Sequence, residues 1–82
     1  MIKSTLPTVK YSQLIRKEVI NICNGCRMGF VCDVEIDVAC GKVCSIFVPK
    51  PHGFFQKVQF HCIKWDQIEQ ISSDMILVAI RD

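Results

Sequence analysis

Two cysteines three residues apart, Cys23 and Cys26, enclose the dipeptide Asn24-Gly25. No other part of the sequence concentrates as much chemistry. A C-x-x-C spacing is half of a zinc site or a redox pair, because a thiolate is both a good metal ligand and a good nucleophile. Asn-Gly between apolar runs signals a tight hairpin, since the turn needs positive φ at its central positions. A two-residue hairpin sets Cys23 opposite Cys26, about 5.5 Å apart in Cα if the pair is hydrogen-bonded. That separation suits a disulfide or joint metal ligation.

A zinc site needs two more ligands. Cys40 and Cys44 are the next pair in sequence. A strand of about ten residues at 3.3 Å each separates Cys26 from Cys40 by roughly 30 Å, which argues against one Cys₄ site. Cys62, His61 or a second copy of the chain remain as completing ligands. Free thiols are the plainer reading of Cys23 and Cys26, and metal or a disulfide are the alternatives. Cys32 and Cys44 fall on the apolar face of their strands and read as small core residues.

Asp33, Glu35 and Asp37 recur at every second position, which makes a carboxylate stripe on one strand face with about 6.6–6.8 Å between neighbours. Such a stripe can meet a cation or a basic partner, but a solvated face that keeps the sheet soluble is the plainer reading. No Ser, His or Cys is evidently paired with it as a nucleophile or base. The four glycines are scattered through turns, so no phosphate-binding loop is present. The chain therefore reads as non-enzymatic, with no catalytic residue and no cofactor beyond the zinc alternative. Phe54 and Phe55 stand side by side in a loop. They either fold back as a lid or form an exposed contact.

The elements that must position these residues are mostly strands. Residues 1–10 read as a flexible arm and 11–82 as the domain. Tyr11 to Lys17 reads as a short helical turn capped by Ser12, with Leu14 and Ile15 as anchors. Glu18 to Cys23 is β-branched. Met28 to Val38 alternates, with Phe30, Cys32, Val34, Ile36 and Val38 on the inner face. Gly41 closes a second tight turn, in a register that sets Ile36 opposite Cys44, Val34 opposite Ile46 and Cys32 opposite Val48. Pro49 and Pro51 end the third strand. Val58, Phe60 and Cys62 alternate in a fourth. Trp65 to Ile68 reads as one turn of helix, Ser72 to Asp74 as a turn, and Met75 to Ile80 as the last strand. The expected fold is all-β: a small, partly open antiparallel barrel of about five to six strands, which curls to protect its edges.

The runs Glu18-Val19-Ile20-Asn21-Ile22, Asn24-Gly25, Met28-Gly29-Phe30-Val31, Asp33-Val34-Glu35-Ile36-Asp37, Ile46-Phe47-Val48-Pro49 and Ile63-Lys64-Trp65-Asp66-Gln67-Ile68 resemble the PRC-barrel family. The resemblance extends from about Tyr11 to the C-terminus. It is nearest to the small YlmC/YmxH-type sporulation proteins. It implies a barrel of about six strands used as a binding or assembly module, with no shared catalytic residue. Two departures stand out. Lys64 occupies a position where many relatives carry Pro before the Trp, and the loop after Pro49 is short.

Composition bounds the rest. The chain has 82 residues, half of them apolar and 22% charged, with a net charge of +2. That balance predicts neither a membrane nor a nucleic-acid partner. The longest apolar run, Met75 to Ile80, is far too short to span a bilayer. With no signal peptide visible, the expected location is cytoplasmic, where thiols stay reduced. Charge is uneven: residues 1–27 carry five Lys/Arg and one Glu, residues 42–64 carry four Lys and no acid, and residues 65–82 carry four acids and one Arg. Such a layout suits docking, including self-association as a homodimer. Two functions thus follow from the sequence. One is an interaction module of PRC-barrel type, using Phe54, Phe55, Asp33, Glu35 and Asp37. The other is a thiol-based zinc or redox protein, using Cys23 and Cys26.

Overall fold

Ten residues form the core: Leu14, Val19, Val31, Ile46, Val48, Ile63, Ile68, Ile71, Ile76 and Val78. All are branched aliphatics, which pack well on pleated surfaces. A computed structural model describes residues 3–4 and 8–81 and shows how strands bring them together. The order is β1 (Lys3–Ser4), α1 (Tyr11–Leu14), β2 (Glu18–Asn21), β3 (Cys26–Phe30), β4 (Asp33–Asp37), β5 (Lys42–Pro49), β6 (Phe60–Lys64), a 3-10 turn (Trp65–Gln67), β7 (Ile68–Ile71) and β8 (Met75–Val78). Of the arm read over residues 1–10, residues 1–2 and 5–7 lie outside the described residues.

The strands form a five-stranded sheet, β1-β7-β8-β2-β3, and a three-stranded sheet, β4-β5-β6. The core lies between them, so the fold is nearly all-β and partly open, as expected. Four pairings are antiparallel. The pairings β1 with β7 and β2 with β8 are parallel, and local pattern gave no sign of them. The sequence reading also missed β7, placing a helical turn at Trp65–Ile68 and a turn at Ser72–Asp74 with no strand between them.

Three of the antiparallel pairings contain a register shift. In β2–β3, Val19 pairs with Gly29 and Ile20 with Arg27, which leaves Met28 as the extra residue. In β4–β5, Glu35 pairs with Ser45 and Ile36 with Val43, which leaves Cys44 extra. In β7–β8 the extra residue is Glu69. Each bulge adds one residue to one strand, so the period-two pattern changes face across it.

A break in the strand and these bulges correct the expected core. Met28 to Val38 is not one strand: β3 gives way to β4 at Val31–Cys32. Val31, read as outward, is buried. Phe30, Cys32, Ile36 and Val38, read as inward, are exposed, and only Val34 of that set is half-buried. The register expected around Val34 and Ile46 is correct, but Ile36 faces Val43 and not Cys44. Cys32 lies beyond β4, where its N–H donates to the Phe47 carbonyl at 2.8 Å. In β6 the buried residue is Ile63, so Phe60 and Cys62 face outward.

Backbone ends are satisfied by side chains. The cap of α1 is Lys10 and not Ser12, and the Lys10 N–H donates to Gln13 Oε1 at 3.0 Å. Gln67 performs the same service for Lys64 at 2.9 Å. The Lys17 side chain is only 4% exposed, and its ammonium donates to the Ser73 carbonyl at 2.8 Å. It thereby ties the start of β2 to the β7–β8 turn. The Ser45 hydroxyl is buried without a partner.

Candidate functional site

The Cys23–Cys26 segment is a four-residue turn, Ile22 to Gly25, and not the expected two-residue one. Cys26 pairs across the ladder with Asn21, and Cys23 lies within the turn. The Asn21 side chain organises it. Asn21 Oδ1 accepts the Cys23 N–H at 3.1 Å, and the Gly25 N–H closes onto the Asn21 carbonyl at 2.8 Å. Gly25 takes φ of 72°, which glycine adopts without steric cost. Asn24 Oδ1 then accepts the Cys26 N–H at 2.9 Å. The asparagines in this sequence therefore serve the turn's backbone, as Asn commonly does.

Cys26 lines a hollow of about 260 Å³ together with Asn21, Asn24, Arg27, Met28, Pro51, His61 and Ile80. Desolvation, and secondarily the nearby charge of Lys50, hold the His61 pKa below the usual imidazole range. Neutral imidazole is the form that ligates metals or accepts a proton. Arg27 is committed elsewhere, to a two-pronged ion pair with Glu18 at 3.0 and 2.8 Å. His61 was named from sequence as a completing ligand for Cys23 and Cys26. The structure brings it to the Cys26 side of the turn. Among the described residues, no three His, Cys, Asp or Glu side chains are grouped in a way that could hold a metal ion.

All six cysteines are free. Cys23, Cys26, Cys32, Cys40 and Cys62 are exposed, and Cys44 is half-buried. Cys32 and Cys44 therefore do not belong to the core. The bulge at Cys44 and the strand handover before Cys32 place them outside it.

Asp33, Glu35 and Asp37 are all exposed on β4, as the alternation required. Two of them are partly occupied by backbone. Asp33 Oδ1 accepts the Val34 N–H at 2.9 Å, and Asp37 Oδ1 accepts the Ala39 N–H at 2.9 Å. Asp37 thereby builds the second hairpin turn, where the Gly41 N–H donates to the Asp37 carbonyl at 2.7 Å and Gly41 takes φ of 70°.

Phe54 and Phe55 are 93% and 95% exposed, so they are not a lid. Their rings meet edge to face with centroids 4.9 Å apart. The loop that presents them is braced at Gly53, whose N–H donates to Gln56 Oε1 at 2.7 Å. Sequence reasoning missed a second apolar surface. Asp33, Phe47 and Phe60 line a shallow hollow of about 220 Å³ on the three-stranded sheet. Phe60 is half exposed there. Its alternation with Cys62 was visible in the sequence, but the face they share was assigned to the interior.

No helix among the described residues is long and apolar enough to cross a membrane. No known protein-family profile matches the chain. Two curated proteins do. The chain is 34% identical over 77 residues to the probable sporulation protein YlmC of Bacillus subtilis (strain 168), an alignment covering 90% of this chain and 95% of that protein. It is 37% identical over 75 residues to an uncharacterized protein of Clostridium acetobutylicum, covering 89% of this chain and 86% of that protein.

Proposed function

The chain belongs to the YlmC family of small proteins, and from that premise we propose that it is a sporulation-associated, non-catalytic assembly module that works through its exposed apolar surfaces. The observation that carries this reading is the pair Phe54 and Phe55. Two adjacent phenylalanines held almost wholly in water are costly unless a partner covers them, since burying each ring is worth about 1.5–3 kcal/mol. The Gly53–Gln56 brace supports the same reading, because a loop held in one shape loses less entropy on docking. The PRC-barrel resemblance of the sequence fits such a role.

The test is a paired capture experiment in sporulating cells. Wild-type chain and a Phe54→Ser/Phe55→Ser variant serve as baits, with captured proteins identified by mass spectrometry. The expected result is a reproducible protein partner lost in the variant, whose thermal unfolding stays unchanged. A capture profile identical for both baits would overturn the reading.

One observation favours a second reading, a thiol-based metal or redox role for Cys23 and Cys26: Cys26 and His61 share one hollow. A zinc site there needs ligands from a second chain, since no suitable trio exists within the described residues. Zinc content and thiol reactivity of protein purified without chelator, compared between wild type and Cys23→Ser/Cys26→Ser, decide it. A stoichiometry near zero in both removes the metal role, and thiol reactivity that is the same in the variant as in wild type removes the redox role.

A further inference from the structure

We propose that the outer face of the three-stranded sheet is an isologous contact between two copies of this chain, with Glu35 of each copy set against Lys64 of the other. This deepens the assembly reading and rests on it, and it concerns a different surface from Phe54 and Phe55.

The strand register sets which residues share a face. Residues directly opposite one another in an antiparallel sheet point to the same face. Two rows cross all three strands: Asp33–Phe47–Cys62 and Glu35–Ser45–Lys64. The intervening row, Val34–Ile46–Ile63, points into the core, where Ile46 and Ile63 are fully buried. Asp33, Glu35, Cys62 and Lys64 of the first two rows are exposed and Phe47 is half-buried, while Ser45, between Glu35 and Lys64, is fully buried. Pro49 and Phe60 extend these rows at one end. The result is an apolar centre of Phe47, Phe60 and Cys62, with acids along the β4 edge and Lys64 on the β6 edge. Half-exposed Phe60 beside a hollow of about 220 Å³ is the kind of surface a partner covers.

The charge order selects the partner. Glu35 and Lys64 lie two strand spacings apart, about 9–10 Å. Among the described residues the ion pair formed within the chain is Arg27 with Glu18, so both Glu35 and Lys64 keep their charge for another molecule. A two-fold axis running along β5, above the face, lays the partner's β4 over β6. It places Glu35 against the partner's Lys64, Lys64 against the partner's Glu35, and Phe47 against the partner's Phe47. One rotation thus satisfies both charges and stacks the apolar centre on itself. A two-fold contact of this kind closes on itself and does not propagate into a fibre.

The experiment is a charge exchange on the full chain, read by sedimentation equilibrium, with circular dichroism to verify folding. Wild type is expected to dimerise by about 100 µM. Glu35→Lys alone and Lys64→Glu alone each place like charges together twice, and each should weaken dimerisation roughly tenfold or more. An equimolar mixture of the two variants restores both opposite-charge contacts and should recover a heterodimer close to wild-type affinity. In wild type, alkylation of Cys62 should slow as concentration rises, while alkylation of Cys40 should not.

A monomeric wild type at that concentration, single variants that dimerise like wild type, or a mixture that fails to associate would each overturn the proposal. The outcomes separate from the assembly reading. Loss of the dimer with capture through Phe54 and Phe55 intact sinks only this inference. An intact dimer with no captured partner sinks the Phe54/Phe55 reading and leaves this contact standing.

Discussion

The two hairpin turns, Asn21–Cys26 and Asp37–Lys42, are built alike and held differently. In each, a short side chain at the first position accepts the N–H two residues on. In each, a glycine four residues on takes φ near 70° and closes onto the first carbonyl. The difference lies at the first position. Asn21 is 5% exposed and reaches the C-terminal segment: its Nδ2 donates to the Ile80 carbonyl at 3.0 Å, and its Oδ1 accepts the Ile80 N–H at 3.1 Å. Asp37 is exposed and serves its own turn. A carboxylate has no N–H to offer the Ile80 carbonyl, so Asp would not replace Asn21. One turn is a tertiary clamp, and the other is a local tip.

The largest test of this difference is Asn21→Ala. It removes three side-chain hydrogen bonds and strands buried backbone groups, a loss of about 3 kcal/mol. For a domain of this size that corresponds to a fall of roughly 10–20 °C in Tm. A urea midpoint near wild type would show that the clamp contributes nothing.

Gly25→Ala and Gly41→Ala come next. A Cβ at either position meets nothing within 4 Å, so the cost is backbone strain alone, about 1 kcal/mol each. Equal losses in the urea midpoint are expected, because the strain is local in both turns. A markedly larger loss at Gly25 would mean that the clamped turn cannot relax.

Asp37→Ala should cost less than about 1 kcal/mol, since water replaces the exposed hydrogen bonds it loses. Its midpoint sets the scale against which Asn21→Ala is judged.

The smallest effect is a pH dependence at the clamped turn. Desolvation holds the His61 pKa below its unfolded value near 6.5. Its contribution to stability is therefore complete above about pH 6.5 and is lost as pH falls from there toward the folded pKa. Amide chemical shifts at Asn21, Asn24 and Cys26, which share a hollow with His61, should titrate in that range, and those across 37–42 should not. His61→Gln should abolish the titration.

Much of this was legible in the residues. Both glycine turns, the end of β5 at the prolines, the outward carboxylates and the paired phenylalanines follow from local chemistry. The expected core failed where the strand broke and where it ran on toward a turn. Cys32, Ile36 and Val38 share a parity with Val34 in the sequence, yet they are exposed: Cys32 lies at the break between β3 and β4, and Ile36 and Val38 lie toward the Asp37–Lys42 turn, while the bulge at Cys44 changes the face of β5, so that Val43 and not Cys44 meets Ile36. A bulge costs nothing in local pattern, so the alternation cannot reveal it. The same applies to the outer face. Phe60 and Cys62 alternate as a strand requires, but alternation does not say which side is dry.

The sequence alone determined that the chain is a β-rich domain with turns at Gly25 and Gly41, because φ preference and apolar spacing act over a few residues. It also determined which side chains can do chemistry. Only the tertiary structure decided where they stand. The parallel pairings of β1 with β7 and β2 with β8 join segments distant in sequence. Asn21 becomes a clamp only because β8 brings Ile80 to it. Glu35 and Lys64 share a face only because β5 lies between them. These relations arise from packing across the core, and a local pattern of residues holds no record of them.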